Sequence, residues 1–166
     1  LINDELEKKI IEKIIKPTLK GLSDDNIKYK GFLYAGLMIV DNEPFLIEYN
    51  VRMGDPECQI ILPILKTDLT EVIEAVINEK LKDFNLEWHN SISLCVVLCS
   101  NGYPDKYEKN IEIRNFNSVV LDEKNFLFHA GTIKKEEKIV AIGGRVLNFV
   151  SISVSYTHLT LPTNGT

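Results

Sequence analysis

Two apolar runs, residues 32–40 and 45–51, are separated only by Asp41-Asn42-Glu43-Pro44. β-Branched and aromatic side chains on both sides of a turn-forming cluster are the signature of a β-hairpin. Helical periodicity flanks it on both sides, and the class that follows is α+β. In residues 3–20, Leu6, Ile10, Ile14 and Ile15 recur between charged positions as on an amphipathic helix. Asn3 reads as its N-cap, with Asp4, Glu5 and Glu7 complementing the positive end of the helix dipole. Pro17 is expected to kink this helix or end its regular part, and residues 21–28 read as a polar connection. After the hairpin, Arg52-Met53-Gly54-Asp55-Pro56-Glu57 reads as a loop, because Gly and Pro interrupt any regular element. A second helix is announced by Asp68 with Glu71 three residues on, a capping-box arrangement. Leu69, Val72, Ile73, Val76 and Ile77 form its expected buried stripe, with Lys80 and Lys82 near its C-terminal end.

Past residue 90 the texture changes to short strands and turns. Residues 91–100 read as a buried strand and Asn101-Gly102-Tyr103-Pro104 as a turn. Further strands are expected near 118–121, 126–130, 138–142 and 145–153, the last two joined through Gly143-Gly144. The expected organisation is one domain over residues 1–90, a second over 91–153, and a non-native tail over 154–166. That tail contains no charged side chain apart from His158 if protonated.

Composition narrows the function classes. With 166 residues, 45% hydrophobic and 26% charged, the chain has the make-up of a soluble globular protein. A net charge of −5 gives no basic face for nucleic acid. Its longest apolar stretches, such as 60–65 and 94–98, fall far short of the roughly 20 residues a membrane-spanning helix requires. Three cysteines are too few and too scattered for a disulfide framework. On one strand, Cys95 and Cys99 would lie roughly 13 Å apart at about 3.3 Å per residue, beyond bridging reach. Reduced thiols suit the cytoplasm. The chain opens with Leu1 and runs directly into a charged helix with no apolar signal core, so it is expected to be cut from something longer.

The chemistry-bearing segment is Glu48-Tyr49-Asn50-Val51-Arg52-Met53-Gly54-Asp55-Pro56-Glu57. On a strand, Glu48 and Asn50 emerge on one face, offering a carboxylate and an amide oxygen. Such hard oxygen ligands suit Mg²⁺, which is commonly held by one or two protein groups plus substrate phosphates. Arg52 continues the alternation, and its planar fork of donors fits a carboxylate or phosphate. Gly54 permits close backbone approach, and Asp55 and Glu57 add acidic groups at the strand end. The same alternation also describes the solvent face of a half-exposed strand, and the residues alone leave both readings open.

A family resemblance adds to this. Tyr34-Ala35-Gly36-Leu37-Met38, the segment 48–57, Leu62-Pro63 and Lys66-Thr67-Asp68-Leu69 resemble successive blocks of the phosphoribosylamine–glycine ligase family. Gly102-Tyr103-Pro104, Phe128-His129-Ala130-Gly131-Thr132 and Gly143-Gly144-Arg145-Val146-Leu147 resemble blocks of that family's C-terminal domain, in the same order. The match spans roughly residues 1–153. It implies the C-terminal part of an ATP-grasp domain, antiparallel strands with helices, followed by a small β-rich domain. It also implies ATP-dependent joining of glycine to 5-phosphoribosylamine through glycyl phosphate, giving glycinamide ribonucleotide, ADP and phosphate. By resemblance Glu48 and Asn50 are the Mg²⁺ or Mn²⁺ ligands, and Arg52 contacts the reacting carboxylate or phosphate. Asp55 and Glu57 then serve substrate positioning. Met53, where the family usually has an aromatic, and Cys58, where Thr is common, are departures beside the site. Asn101 and Asp105 depart from a glycine-richer turn.

Gly143-Gly144-Arg145 has two readings, a hairpin turn with a solvated arginine or an arginine facing a phosphorylated substrate. His129 reads as a structural histidine, His89 beside Trp88 as linker packing, and Lys66 and Asp68 as a helix start and its cap. The lysines that hold nucleotide phosphates and the lid of an ATP-grasp enzyme are not in this sequence, so the chain alone is expected to lack ligase activity. Two rivals remain: another ATP-grasp carboxylate–amine ligase, and a non-catalytic α/β binding module in which Glu48, Asn50 and Arg52 form a solvated face.

Overall fold

The computed structural model describes residues 2–119 and 121–155. Residues 156–166, including His158, lie outside the described residues. The chain forms two compact units, residues 1–54 with 69–85, and residues 55–68 with 86–166. Both combine helices with small antiparallel sheets, the α+β class expected.

In the first unit, helix α1 (Asp4–Ile10), a π-helical stretch (Ile11–Ile15) and α2 (Lys16–Asp24) run on without a break. Asn3 caps α1 by accepting a hydrogen bond from the Leu6 N–H at 2.9 Å, and Leu6 and Ile14 are buried on the expected stripe. Pro17, expected to kink the helix or end its regular part, does not end the helix, although regular α-helical winding gives way to the π-helical stretch just before it. It falls in the first turn of α2, directly after the π-helical stretch. A proline removes one N–H and crowds the carbonyl four residues back, and the wider π turn moves that carbonyl aside. The helix accordingly extends into the segment expected to be a polar connection.

The hairpin pairs β1 (Tyr34–Val40) with β2 (Glu43–Asn50). Its turn is tighter than the four-residue cluster suggested. Asp41 and Asn42 alone make it, both at positive φ (49° and 60°), the geometry that matches strand twist in a two-residue loop. Glu43 and Pro44 therefore belong to β2. The helix lies against β2 through ion pairs from Lys9 and Lys13 to Glu43 and a 2.5 Å hydroxyl contact between Thr18 and Tyr49. Helix α4 (Leu69–Ile77) begins directly after Asp68. Its buried line is Val72 and Ala75, while Ile73 and Ile77 of the expected stripe are exposed, Ile77 by 60%. The covered face is thus narrower than the apolar one.

The second unit contains α3 (Glu57–Ile61) and two three-stranded antiparallel sheets. One has the order β3 (Ile92–Cys99), β8 (Arg145–Ser153), β5 (Asn125–His129). The other has β4 (Ile111–Glu112), β7 (Lys138–Ala141), β6 (Thr132–Lys135). Strand β8 is central and the best buried, with Val150 at 0% and Asn148 at 1% exposure. Leu147, Val146 and Ala141 form the core, with Ile113, Phe116, Leu127 and Phe149 packed against them. Helix α3 packs on β3 and β8.

Two strand expectations fail here. Residues 116–118 form a 3₁₀ turn entered through Asn115 at φ 57°, so the described part of 118–121 is not a strand. Strands β7 and β8 do not make a hairpin through Gly143-Gly144, since they pair in different sheets. The short strands β4 and β6 were not anticipated at all. None of the three cysteines, all among the described residues, is in a disulfide.

Candidate functional site

Strand β2 carries the first pair of candidate residues. Opposite Leu37 stands Leu46, and opposite Gly36 stands Glu48, so the register leaves Ile47 as an extra residue in a bulge. A bulge re-aims the side chains beyond it, here Glu48 and Asn50. Gly36 matters for the same reason. A Cβ there would lie 3.3 Å from Glu48 Cγ and 3.6 Å from its carbonyl oxygen, so the glycine leaves room for the glutamate. Glu48 and Asn50 emerge on one face, as the sequence predicts, and Asn50 Nδ2 donates to Glu48 Oε1 at 2.9 Å. That bond uses the amide nitrogen and leaves Asn50 Oδ1 and Glu48 Oε2 without a hydrogen bond from the described residues. Two hard oxygens on one strand face are a donor set suited to a divalent cation. Among the described residues no group of three or more His, Cys, Asp or Glu is arranged to hold an ion unaided. An ion at Glu48 and Asn50 would complete its shell with phosphate oxygens and water, as Mg²⁺ commonly does.

Arg52 lies just beyond the end of β2, exposed, and its Nη1 donates to the neighbouring Met53 carbonyl at 2.9 Å. One arm of the guanidinium is thus folded onto its own backbone.

The second cluster lies in the second unit and joins two residues that are 90 positions apart. Arg145 Nη1 donates to the Asp55 carbonyl at 2.6 Å, and Nη2 is 3.6 Å from Asp55 Oδ2. Gln59, on α3, donates from Nε2 to Asp55 Oδ1 at 2.7 Å. Both oxygens of this carboxylate therefore face donors from the chain itself. Burial pushes the Cys95 thiol above its ordinary range, and the nearby negative charges of Asp55 and Glu57 add to the effect. Cys58 is raised in the same way, by burial and then by Asp55.

Glycines set the position of Arg145. The backbones at Gly131 and Gly143 cross so closely that a Cβ on Gly131 would meet Gly143 Cα at 2.5 Å and the Arg145 carbonyl at 2.6 Å. The Gly131 N–H donates to that carbonyl at 2.9 Å. A Cβ on Gly144 would collide with the Tyr103 ring at 2.1 Å. Ser100 completes the arrangement, its N–H donating to the Gly144 carbonyl (2.7 Å) and its Oγ to the Gly143 carbonyl (2.8 Å). Gly143-Gly144 is therefore a place where backbones and an aromatic ring meet, and the side chain that emerges from it is Arg145.

The structure brings together Glu48 with Asn50, and Asp55 with Arg145. Sequence reasoning missed the partnership of Arg145, Asp55 and Gln59. The only signal was that Gly-Gly-Arg and Gly-Asp-Pro-Glu both stood out, with nothing to link them. His129 is structural in geometry, with Nδ1 2.7 Å from Thr132 Oγ1 and its ring 5.3 Å from that of Phe116. An open cavity of about 720 Å³ in the second unit, bordered by Ser100, Gly102, Tyr107, Ile111 and Leu147, contains none of the candidate residues.

Comparison with known proteins matches two stretches of the chain. Residues 1–58 match the family model described as phosphoribosylglycinamide synthetase, ATP-grasp (A) domain, and residues 93–158 match the C domain of the same synthetase. A phosphoribosylamine–glycine ligase of Caldanaerobacter subterraneus subsp. tengcongensis is 46% identical over 158 residues, covering 93% of this chain and 37% of the relative. A trifunctional purine biosynthetic protein adenosine-3 of Gallus gallus is 45% identical over 152 residues, 91% of this chain and 15% of the relative. The crystal structure of phosphoribosylamine–glycine ligase from Thermotoga maritima superposes with a TM-score of 0.70 at 34% identity, over 95% of this chain and 38% of that one. The chain thus spans little more than a third of the single-function ligases it matches. Two domain models of one synthetase, in order along the chain, and relatives sharing nearly half of its residues lead to one conclusion: this chain belongs to the phosphoribosylamine–glycine ligase family and carries sequence of both its ATP-grasp and its C domain.

Proposed function

We propose that the protein containing this chain joins glycine to 5-phosphoribosylamine at the expense of ATP, with Glu48 and Asn50 as the ligands of its Mg²⁺ or Mn²⁺. The observation that carries this reading is the pair of oxygens that Glu48 and Asn50 present on one face of β2, tied by their own hydrogen bond. In the reaction a glycine carboxylate oxygen attacks the terminal phosphorus of ATP, releasing ADP. The amine then attacks the acyl carbon of glycyl phosphate, phosphate leaves, and the nitrogen loses a proton, giving glycinamide ribonucleotide. A divalent ion supplies neutralisation of phosphate charge.

The chain's own residues supply orientation. Glu48 and Asn50 offer their oxygens from a strand, a more rigid support than a loop. Arg52 has donors beyond the one spent on Met53, and a guanidinium beside the reacting carboxylate stabilises the charge gathered there. Asp55, Glu57 and Arg145 serve substrate positioning, Asp55 and Arg145 through their hold on each other rather than through free side chains. The domains of this reading are residues 1–90, a partial ATP-grasp domain, and 91–153, the C-terminal domain, with 154–166 a non-native tail. Its partners are small molecules, ATP, glycine and 5-phosphoribosylamine, rather than nucleic acid or membrane, and its setting is the cytoplasm. No helix among the described residues is long and apolar enough to cross a membrane.

The test is replacement of Glu48 and Asn50 by alanine in the complete ligase. Glycine-dependent ADP release should fall by at least about 100-fold, the range expected when groups that stabilise transition-state charge are removed. The circular dichroism spectrum and the thermal midpoint should hold. Turnover unaffected by the double substitution would leave Glu48 and Asn50 as a solvated strand face and sink the reading.

A further inference from the structure

The two oxygens of the Asp55 carboxylate and its backbone carbonyl are engaged by Arg145 and Gln59, which does not suit a carboxylate kept for a substrate. Arg145 is equally committed, with one arm of its fork on a carbonyl and the other toward a carboxylate of the same residue. Its own backbone has little freedom, because β8 begins where Gly131, Gly143 and Gly144 allow contacts that no Cβ would permit. Asp55 stands two residues before Glu57, the first residue of α3.

We infer that Arg145 is a positioning residue that acts through Asp55. It clamps the turn at residues 55–56, and through that turn sets where Glu57 stands at the start of α3, without touching the substrate. This rests on the functional reading above and deepens it, by giving the Gly-Gly-Arg motif a mechanical role in the motif that follows β2. A fork that grips a carbonyl and a carboxylate together fixes direction as well as distance, which a single ammonium cannot do. Gln59 adds a second hold from α3, itself packed on β3 and β8.

The test is a double-mutant cycle, Arg145→Ala, Asp55→Asn and both together, read in two ways. In the complete ligase, Arg145→Ala should lower kcat by about 10- to 100-fold, the cost of misplacing a substrate-positioning group by about an ångström. KM for glycine and for 5-phosphoribosylamine should stay within about threefold, since substrate contacts made only by other residues are retained. The double variant should be no more than about threefold slower than Arg145→Ala, because the two side chains act as one part. Arg145→Lys, which keeps the charge and loses the fork, should recover part of kcat. A rise in KM with kcat intact, or full multiplication of the two single effects, would mean that Arg145 meets the substrate directly and overturns the inference. In the chain itself, urea midpoints of the same three variants should show the two substitutions to be coupled, and strictly additive midpoint shifts would overturn it without recourse to activity. Coupled midpoints in a protein without glycine-dependent turnover would sink the functional reading and leave the Arg145–Asp55 clamp standing.

Discussion

Gly131→Ala should be among the most damaging single substitutions in the second unit. The new Cβ would lie 2.5 Å from Gly143 Cα, 2.6 Å from the Arg145 carbonyl oxygen and 2.8 Å from the Gly143 nitrogen. All three are backbone atoms, so no side chain can swing away. Reaching ordinary contact, roughly 3.5 Å, requires the two segments to part by about 1 Å. Three hydrogen bonds span the same gap: Gly131 N–H to Arg145 O (2.9 Å), Ile142 N–H to Gly131 O (2.8 Å) and Gly143 N–H to Gly131 O (3.1 Å). Weakening them at about 1 kcal/mol each, together with the 1–3 kcal/mol typical of overpacking, gives a loss of roughly 4 to 6 kcal/mol. Urea unfolding monitored by circular dichroism would show it as a drop in the midpoint. Gly21→Ala is the control, since nothing lies within 4 Å of a Cβ there and the residue is helical. That change should stabilise by about 0.5–1 kcal/mol. Gly144→Ala lies between, because its obstacle is the Tyr103 ring, a half-exposed side chain that can move. A Gly131→Ala variant within about 1 kcal/mol of the parent would refute the close backbone crossing, and with it the account of how Arg145 is aimed.

Two further outcomes follow from ionisation. Glu43 is held below its ordinary value of 4.5 by Lys13 and Lys9, Glu79 by Lys30 and Glu87 by Lys66. A carboxyl whose folded pKa is depressed contributes stability above its unfolded pKa and loses it as pH falls through the folded one. The thermal midpoint should therefore be level down to about pH 5 and decline below roughly pH 4.5, with a shallower decline in 1 M NaCl because these pairs are exposed and screened; a midpoint that rose on acidification would contradict the pairing. Among the thiols, Cys99 is exposed, whereas burial and nearby carboxylates raise Cys58 and Cys95. Iodoacetamide at pH 8 should modify Cys99 first, followed by mass spectrometry of the peptides, and earlier labelling of Cys95 would count against its burial.

What could be read from the residues was mostly local. Asn3 and the Leu6–Ile14 stripe lie within one helix, and the hairpin turn is written in Asp41-Asn42, so spacing along the chain carries the information. Glu48 and Asn50 were legible for the same reason, because the period of a strand places them together. The errors came where tertiary context outweighed a local rule. Pro17 reads as a kink or a break, and the break does not occur because the preceding π-helical stretch absorbs its ring. Gly143-Gly144 reads as a hairpin turn, yet the glycines allow passage from one sheet to the other beside Gly131, and the need for them arises from residues 12 and 41 positions away in sequence. The apolar run of α4 suggested a broad buried face, and burial is set by what lies opposite, which periodicity does not report.

The two residue pairs also show why acidic groups in one motif should not be given one role. Glu48 shares a single oxygen with a neutral amide, a bond that costs it little of its capacity to meet a cation. Asp55, seven residues on, faces a guanidinium with one oxygen and an amide with the other, and its carbonyl is also taken. Freeing Asp55 for a ligand would cost its bond from Gln59 and its exposed ion pair with Arg145, the latter about 0–1 kcal/mol, and would leave Arg145 to find another anion. Freeing Glu48 costs one bond of the same kind as that from Gln59, and no ion pair among the described residues. That difference favours Glu48 as the group that turns toward an ion and Asp55 as the group that stays, so that one carboxylate of the motif holds the ligand while the other holds the chain.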